Sequence, residues 1–487
     1  MEACSIGLDI GTTSAKAVLF THTGECVDEA EEGYDLIHSF RGCSEQDPYE
    51  IEKAALKALS RLDTKKYHVV SAGFSAAMHT LICIDEEGEA LSNSISWADT
   101  RSTLETEELL NSGQAGAIYQ RTGTPVHTMS PLTKLFWLKK NEPKLYEESA
   151  AFVSVKEFLL RRWFGAEVVD YSIASATGMF NIHTKTWDAE LLEMLEIGEG
   201  RLSKAVAPTY ILPELGPDIR VKAGLPEGVV FAAGGSDGAL ANIGIGALQP
   251  GETALTIGTS GAVRQITSRP ALGDNQQTFC YAFDEGMWVV GGPTNNGGIA
   301  LQWLQKAMKE KDLETLLQEA ADVPVDVHNP IFLPYLQGER APIWDPGAKG
   351  SFVQLSIEHE QKHFTRAVLE GVIFSVCEVF EHLETIVEDG EKALYASGGF
   401  SRSPLWLQIT ADIFGSELSL PVSYQSSAWG AAWCSMMAAG ITSSYEDITS
   451  SIPMKEKIVF DTEAYQTYRE IFSRYKKIYE ALKTIEA

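Results

Sequence analysis

Asp9 ends an apolar run just before Ile10-Gly11-Thr12-Thr13-Ser14, and a matching turn, Ile257-Gly258-Thr259-Ser260, recurs about half a chain later. A tight turn rich in glycine and small hydroxyl residues exposes successive N–H and O–H donors, a concavity suited to phosphate oxygens. Two such turns would clamp a polyphosphate, with Lys16 adding a positive charge; either alone would serve equally as a hairpin connector. A carboxylate beside a phosphate cradle is placed to hold Mg2+, which usually takes only one or two carboxylates; Asp9 also suits a turn-stabilising role. Asp237 follows Gly234-Gly235-Ser236 at the end of a buried strand, where it could take a proton from a substrate hydroxyl as general base. Ser and Asp there also favour a helix N-cap. Met78-His79 and the segment Trp97-Ala98-Asp99-Thr100-Arg101 combine aromatic, carboxylate and guanidinium groups. They would wall a polyhydroxylated ligand, Asp accepting from hydroxyls and Arg forking onto a carboxylate. Gly398-Gly399-Phe400-Ser401-Arg402-Ser403 suits a nucleotide base or ribose, or a plain strand-to-helix turn. His359-Glu360-Gln361-Lys362-His363 has the zinc-protease spacing HExxH, but it opens a polar helix start and no third ligand presents itself.

The elements that must position these residues alternate between strand and helix. Ser5–Leu8 and Ala15–Phe20 read as strands, Gly24 turns the chain into a third, more polar run, and Pro48–Leu62 has helical apolar spacing. Val69–Ser75 and Thr80–Ile84 are strands, and residues 102–164 are mostly helical, with a short strand at Ala151–Val155. Val229–Gly234 is a buried strand leading into a helix near Asp237. After Pro250-Gly251 the pattern restarts, with strands near Thr253–Ile257, Ala262–Thr267, Thr278–Phe283 and Trp288–Val290, then helix from Asn296. A long amphipathic helix spans Phe364–Glu388, a strand Ala393–Ala396, and a further helix Ser403–Phe414. This order predicts an α/β architecture with partly parallel sheets. The repeated turn predicts two related lobes, residues 1–248 and 249–487. Glu463–Ala487 has helical spacing and would pack on its own lobe or on a neighbour.

Bulk composition sets the class. The 487 residues carry 39 Lys+Arg against 67 Asp+Glu, a formal charge of −28, which repels nucleic acid and anionic membranes. Apolar content of 44% and charged content of 22% are those of a soluble globular protein. Seven scattered cysteines with no CxxC pair fit a reducing cytoplasm. No signal peptide is evident, and Ala428–Gly440, the longest apolar stretch, reads as a buried helix too short to span a bilayer. There is no Gly-Lys dipeptide for a P-loop, no GxGxxG after a strand, and no HRD or DFG motif.

Together these segments resemble the FGGY carbohydrate kinases, of the actin, hexokinase and heat-shock ATPase superfamily, from residue 6 to about residue 440. The resemblance rests on the ordered motifs DIGTTS at 9–14, Met78-His79 after Phe74-Ser75, Trp97–Arg101, and the signature stretch from Met129 through Lys134 and Trp137. It continues with Asp170-Tyr171-Ser172, Ala176-Thr177-Gly178, GGSDG at 234–238, IGTSG at 257–261 and ASGGFSRSPLW at 396–406. It implies two ribonuclease-H-like lobes with ATP in the cleft between them. Thr12, Thr13, Ser14, Lys16 and Thr259 would meet the phosphates, Gly298 and Gln302 would approach the nucleotide, and Gly399 with Ser403 would flank the adenosine. Asp9 would organise Mg2+ and Asp237 would be the catalytic base. Met78, His79, Trp97, Asp99, Arg101 and Met129 would bind the acceptor. Within the family these acceptor segments look most like gluconokinases, since Ala77 and Thr80 replace the Gln and Gly usual in xylulokinases. The implied reaction moves the γ-phosphoryl group of ATP to the 6-hydroxyl of D-gluconate. A pentulose kinase of the same family and an actin-like ATPase with protein partners are the alternatives, with a silent sugar sensor third. Oligomeric state stays open, a homodimer included.

Overall fold

The computed structural model describes residues 2–309, 312–387, 390–422 and 425–486; Met1, Glu388 and Ala487, which bound expected segments, lie outside them. Its contacts divide the chain into two compact units. The first comprises Met1–Leu248, Ser268–Val289 and Gln425–Ile452, and the second Gln249–Thr267, Val290–Tyr424 and Pro453–Ala487. Beyond the boundary expected near residue 248, two later segments thus return to the first unit.

The first unit is built on five strands, β1 (Ala3–Ile10), β2 (Ser14–Thr21), β3 (Cys26–Gly33), β4 (His68–Ala76) and β5 (Val230–Ser236), in the order β5-β4-β1-β2-β3. The β1–β2–β3 meander is antiparallel, whereas β4 and β5 run parallel to β1. β1 is almost wholly buried, as a central strand covered on both faces must be, and β3 carries Asp28, Glu29, Glu31 and Glu32 along the sheet's edge, where charge discourages further pairing. The helix Pro48–Ser60 starts where Asp47 accepts from the N–H groups of Tyr49 and Glu50 and Pro48 fills the first turn. Its Ile51, Ala54, Ala55, Ala58 and Leu59 stripe is buried in the unit's core.

The small-residue run near the C-terminus forms the helix Ser426–Ala438, buried from Ala428 to Met436. Its backbone lies directly on the sheet. A Cβ at Gly7 would stand 1.9 Å from the Ala428 carbonyl oxygen, and one at Gly73 1.9 Å from that of Ala431. Neither backbone can retreat from a buried sheet. Gly73→Ala is therefore expected to destabilise the fold by the upper end of the roughly 1–3 kcal/mol of an overpacked core, read by calorimetry as a lower Tm than wild type. No helix among the described residues is long and apolar enough to cross a membrane.

The second unit repeats the motif. Strands β6 (Glu252–Ile257) and β7 (Gly261–Thr267) form an antiparallel hairpin, β8 (Met287–Thr294) flanks β7, and β9 (Ala393–Ser397) runs parallel to β6. β10 (Leu418–Pro421) and β11 (Met454–Ile458) complete that side. A hairpin with a parallel strand on its far side is thus common to both units.

The long helix spans Gln361–Ile386 and begins three residues before the expected Phe364. The reason is its cap: the His363 ring accepts from the Glu360 N–H at 3.0 Å, and the His359 ring accepts from the Ser356 N–H at 3.0 Å. Both imidazoles of the HExxH spacing are spent on local backbone. The C-terminal helix Thr462–Glu486 packs within the second unit through its tyrosines. Tyr468 donates to Glu370 at 2.7 Å and accepts from Arg366 at 2.6 Å, Tyr475 meets Tyr335 at 3.0 Å, and Tyr479 donates to Asp345 at 2.6 Å.

Near these tyrosines burial pushes the Glu378 carboxyl up to about 7, with Lys476 opposing and Glu381, Glu480 and Glu339 reinforcing the shift. A carboxyl raised on folding binds more protons folded than unfolded between about 4.5 and 7. It therefore favours the fold below that window and costs stability as pH rises through it. Glu378→Gln is expected to flatten the decline of Tm between pH 5 and 7.5, estimated against wild type by scanning calorimetry at about five pH values.

Candidate active site

In the first unit the sheet register brings three chemical segments to one edge. Asp9 on β1 pairs with Ser75 on β4, and Ser75 pairs with Gly235 on β5. The C-terminal ends of three adjacent parallel strands therefore deliver Asp9, Met78-His79 and Asp237 side by side, where ligands of open α/β sheets gather.

Asp237 is half-buried and opens the helix Asp237–Gly244, for which Ser236 supplies the cap by accepting from the Ala239 N–H. The alternative use of Asp237 as an N-cap is thereby taken by its neighbour, although the Gly238 N–H does donate to its Oδ1 at 2.7 Å. Its backbone is held from behind. Ser172 Oγ accepts from the Ser236 N–H at 2.8 Å and donates to Asp170, which pairs with buried Lys156. Lys156 Nζ also donates to the Ala233 carbonyl at 3.1 Å. β5 can bend here because Gly234 adopts φ +65, and a Cβ on it would stand 1.8 Å from the Phe74 carbonyl oxygen.

Asp9 is also half-buried, with Ser75 donating to Oδ1 at 2.6 Å and Ser427 to Oδ2 at 2.9 Å. Each oxygen keeps a lone pair, and a lone carboxylate among hydroxyls suits Mg2+, which completes its shell with water and phosphate. Among the described residues no group of three or more His, Cys, Asp or Glu side chains could hold a metal.

The first glycine turn is braced by Tyr34, whose single O–H is shared between the carbonyls of Gly11 at 2.5 Å and Ser14 at 3.0 Å. Thr13 is exposed at its tip, and Thr12 Oγ1 accepts from the Trp97 indole at 3.1 Å, tying the turn to the acceptor segment. Ser14 and Lys16 both meet Glu31, at 2.6 and 3.4 Å.

Met78 and Trp97 are half-buried, His79 and Met129 buried. Their segments converge on one buried cation: Lys134 Nζ donates to the carbonyls of His79 at 2.7 Å, Ser96 at 2.8 Å and Met129 at 2.7 Å. Burial pushes this ammonium down to about 7.

Asp99 and Arg101 do not line a ligand wall as expected. Asp99 is fully buried and accepts from the N–H groups of Ser44 at 2.7 Å and Arg101 at 3.0 Å, and from the Arg101 guanidinium at 2.8 Å. Arg101 also pairs with Glu45 and lies over the rings of Phe40 and Trp137 at 5.3 and 5.1 Å. Opposite charges two residues apart neutralise each other in a buried loop, so they shape the segment that carries Trp97.

In the second unit the hairpin turn meets the start of the helix Gly298–Met308. The Gly298 N–H donates to the Gly258 carbonyl at 2.7 Å and the Gly297 N–H to that of Thr259 at 3.0 Å. Only glycine permits this approach, since a Cβ at 297 would stand 2.6 Å from the Ser260 oxygen. Thr259 and Gln302 are exposed. Buried Glu339 anchors the preceding segment, accepting from the Asn295 N–H and from the Asn296 amide at 3.1 Å. Gly398 packs against the end of β6, leaving Gly399 exposed, and Ser403 caps the helix Pro404–Phe414.

The sequence matches the N-terminal domain of the FGGY family of carbohydrate kinases over residues 4–244 and its C-terminal domain over residues 253–439. It is 37% identical over 498 residues to a gluconokinase of Bacillus subtilis (strain 168), covering 99% of this chain and 97% of that one. The chain belongs to the FGGY family of carbohydrate kinases. As an FGGY kinase it is an ATP-dependent enzyme of sugar or sugar-acid phosphorylation. Two solved structures from Lactobacillus acidophilus, a gluconate kinase and a ligand-bound xylulose kinase, each match this FGGY chain with a TM-score of 0.95 and 34% identity. Each match covers 99% of this chain and 98% of the other.

Three supporting residues escaped sequence reasoning: Lys156 and Ser427 in the first unit and Glu339 in the second. Lys156 left no distinct signal, being one of four charged side chains in the helix Val155–Phe164. Ser427 reaches the first unit only because the chain returns to it.

Proposed function

We propose that this chain phosphorylates the primary 6-hydroxyl of D-gluconate with ATP, giving 6-phosphogluconate and ADP. The observation that supports the reading is the register of β1, β4 and β5, which brings Asp9, Asp237 and the Met78-His79 segment to one sheet edge. Similarity to a gluconokinase over nearly the whole chain supports gluconate as the acceptor.

In this account Asp237 takes the proton of the 6-hydroxyl as its oxygen attacks the γ-phosphorus and ADP leaves. Met78, His79, Trp97 and Met129 orient the polyol, while Asp99 and Arg101 hold the Trp97 segment in place. Thr12, Thr13, Ser14 and Lys16 of the first turn and Thr259 of the second receive the phosphates; Gly298, Gln302, Gly399 and Ser403 border the nucleotide. Mg2+ held through Asp9 would offset phosphate charge, as in other phosphoryl transfers. Seven unpaired cysteines support a cytoplasmic setting.

The product decides the regiochemistry. Carbon NMR should show phosphorus coupling at C6 of gluconate and at no other carbinol carbon except its neighbour; a phosphate on a secondary hydroxyl contradicts the reading. A pentulose acceptor is the second reading, favoured by the xylulose kinase of equal TM-score.

A further inference from the structure

The strand Phe279–Asp284 lies well past residue 248 yet belongs to the first unit. Two bonds fix it there: the Cys280 N–H donates to the Gly123 carbonyl at 2.8 Å, and the Ala282 N–H to Ser175 Oγ at 3.1 Å. Gly123 makes the approach possible, since a Cβ on it would stand 1.9 Å from the Cys280 oxygen. Between these anchors sits Tyr281, buried and stacked on Phe279 with ring centroids 4.3 Å apart. Its hydroxyl lies 3.5 Å from His79 Nε2, the two rings meeting edge to face.

The chemistry of His79 follows from its other nitrogen. Nδ1 is 2.7 Å from the Ala176 carbonyl, which can only accept, so Nδ1 carries the proton. The neutral ring then presents Nε2 as an acceptor. A tyrosine hydroxyl 3.5 Å away is at the long limit of a direct bond, a spacing at which both groups can engage one further oxygen. That oxygen would donate to Nε2 and accept from the phenol. An alcohol does both; a carboxylate cannot donate.

We propose that Tyr281 is a specificity-determining residue of the acceptor site, sharing one secondary hydroxyl of the polyol with His79. The inference rests on the polyol-kinase reading above. It places in the acceptor site a residue from a segment that the sequence assigns to the other lobe.

The test is Tyr281→Phe, which keeps the ring and its stacking, assayed on gluconate and on a series of monodeoxygluconates. Loss of one neutral hydrogen bond is expected to lower kcat/KM for gluconate by about 3- to 15-fold, with KM for ATP within about twofold of wild type. For the one analogue lacking the shared hydroxyl, wild type and variant should react alike. An equal loss across all analogues, or none on any, overturns the proposal. Phe279→Leu serves as the control for packing: it should lower Tm while leaving the wild-type pattern across analogues intact. If wild type prefers a pentulose, the gluconate reading fails, and the same ratio is read on deoxypentuloses. Absence of any polyol-dependent turnover overturns both.

Discussion

Asp237→Asn is expected to lower kcat by roughly 10²–10⁴, the contribution of a positioned base, while leaving the Kd for ATP nearly unchanged. The substitution is close to isosteric, and an asparagine oxygen can still accept from the Gly238 N–H. The helix start does not depend on this side chain because Ser236 supplies the cap. The backbone is held independently by Lys156, Asp170 and Ser172. What disappears is the ability to receive a proton at the edge where Met78 and His79 emerge. Single-turnover kinetics together with calorimetric ATP titration separate the two effects. A kcat within tenfold of wild type would remove Asp237 from the role of base.

Lys134→Met should be the most damaging change outside the reacting groups. The thioether fills much of the lysine's volume but donates nothing, so the carbonyls of His79, Ser96 and Met129 lose their common partner inside the core. Leaving a buried acceptor without its partner costs on the order of 1–3 kcal/mol, and three lose theirs at once. The loss should appear as a lower Tm and, in protein that still folds, as a raised KM for the polyol, because all three carbonyls belong to the acceptor segments. The pH dependence carries a signature. With the folded ammonium pushed down to about 7 against about 10.5 in the unfolded chain, the unfolded state binds more protons between these values. This group therefore adds stability as pH rises through that window, and the increment should vanish in the variant. An unchanged Tm, or a KM for ATP raised as much as that for the polyol, would contradict the role.

Much of this site is readable in one dimension because its chemistry is local. The glycine turns, the Asp9 and Asp237 positions at strand ends and the Met78-His79 pair are short motifs whose geometry follows from a few neighbouring residues. The long apolar helix near residue 430 was legible as buried, since small residues leave room only for close backbone packing. What was not legible is tertiary. Asp99 and Arg101 carry the residue types of a ligand wall, and only the fold shows that they neutralise each other under the Trp97 segment. Ser427 stands 418 positions from the carboxylate it supports, and Tyr281 stands 202 from His79. No local pattern encodes such pairings. His359 and His363 illustrate the converse: a spacing that names a metal site is spent on capping a helix.

The central claim is that ATP cleavage is coupled to a six-carbon sugar acid. It is tested most directly by measuring ADP release from the purified wild-type chain with Mg-ATP and, in parallel, gluconate, xylulose, ribulose, glycerol or no acceptor. The account predicts turnover that requires an acceptor and a kcat/KM highest for gluconate. Release of ADP at the same rate without acceptor, or a clear preference for xylulose, would contradict it.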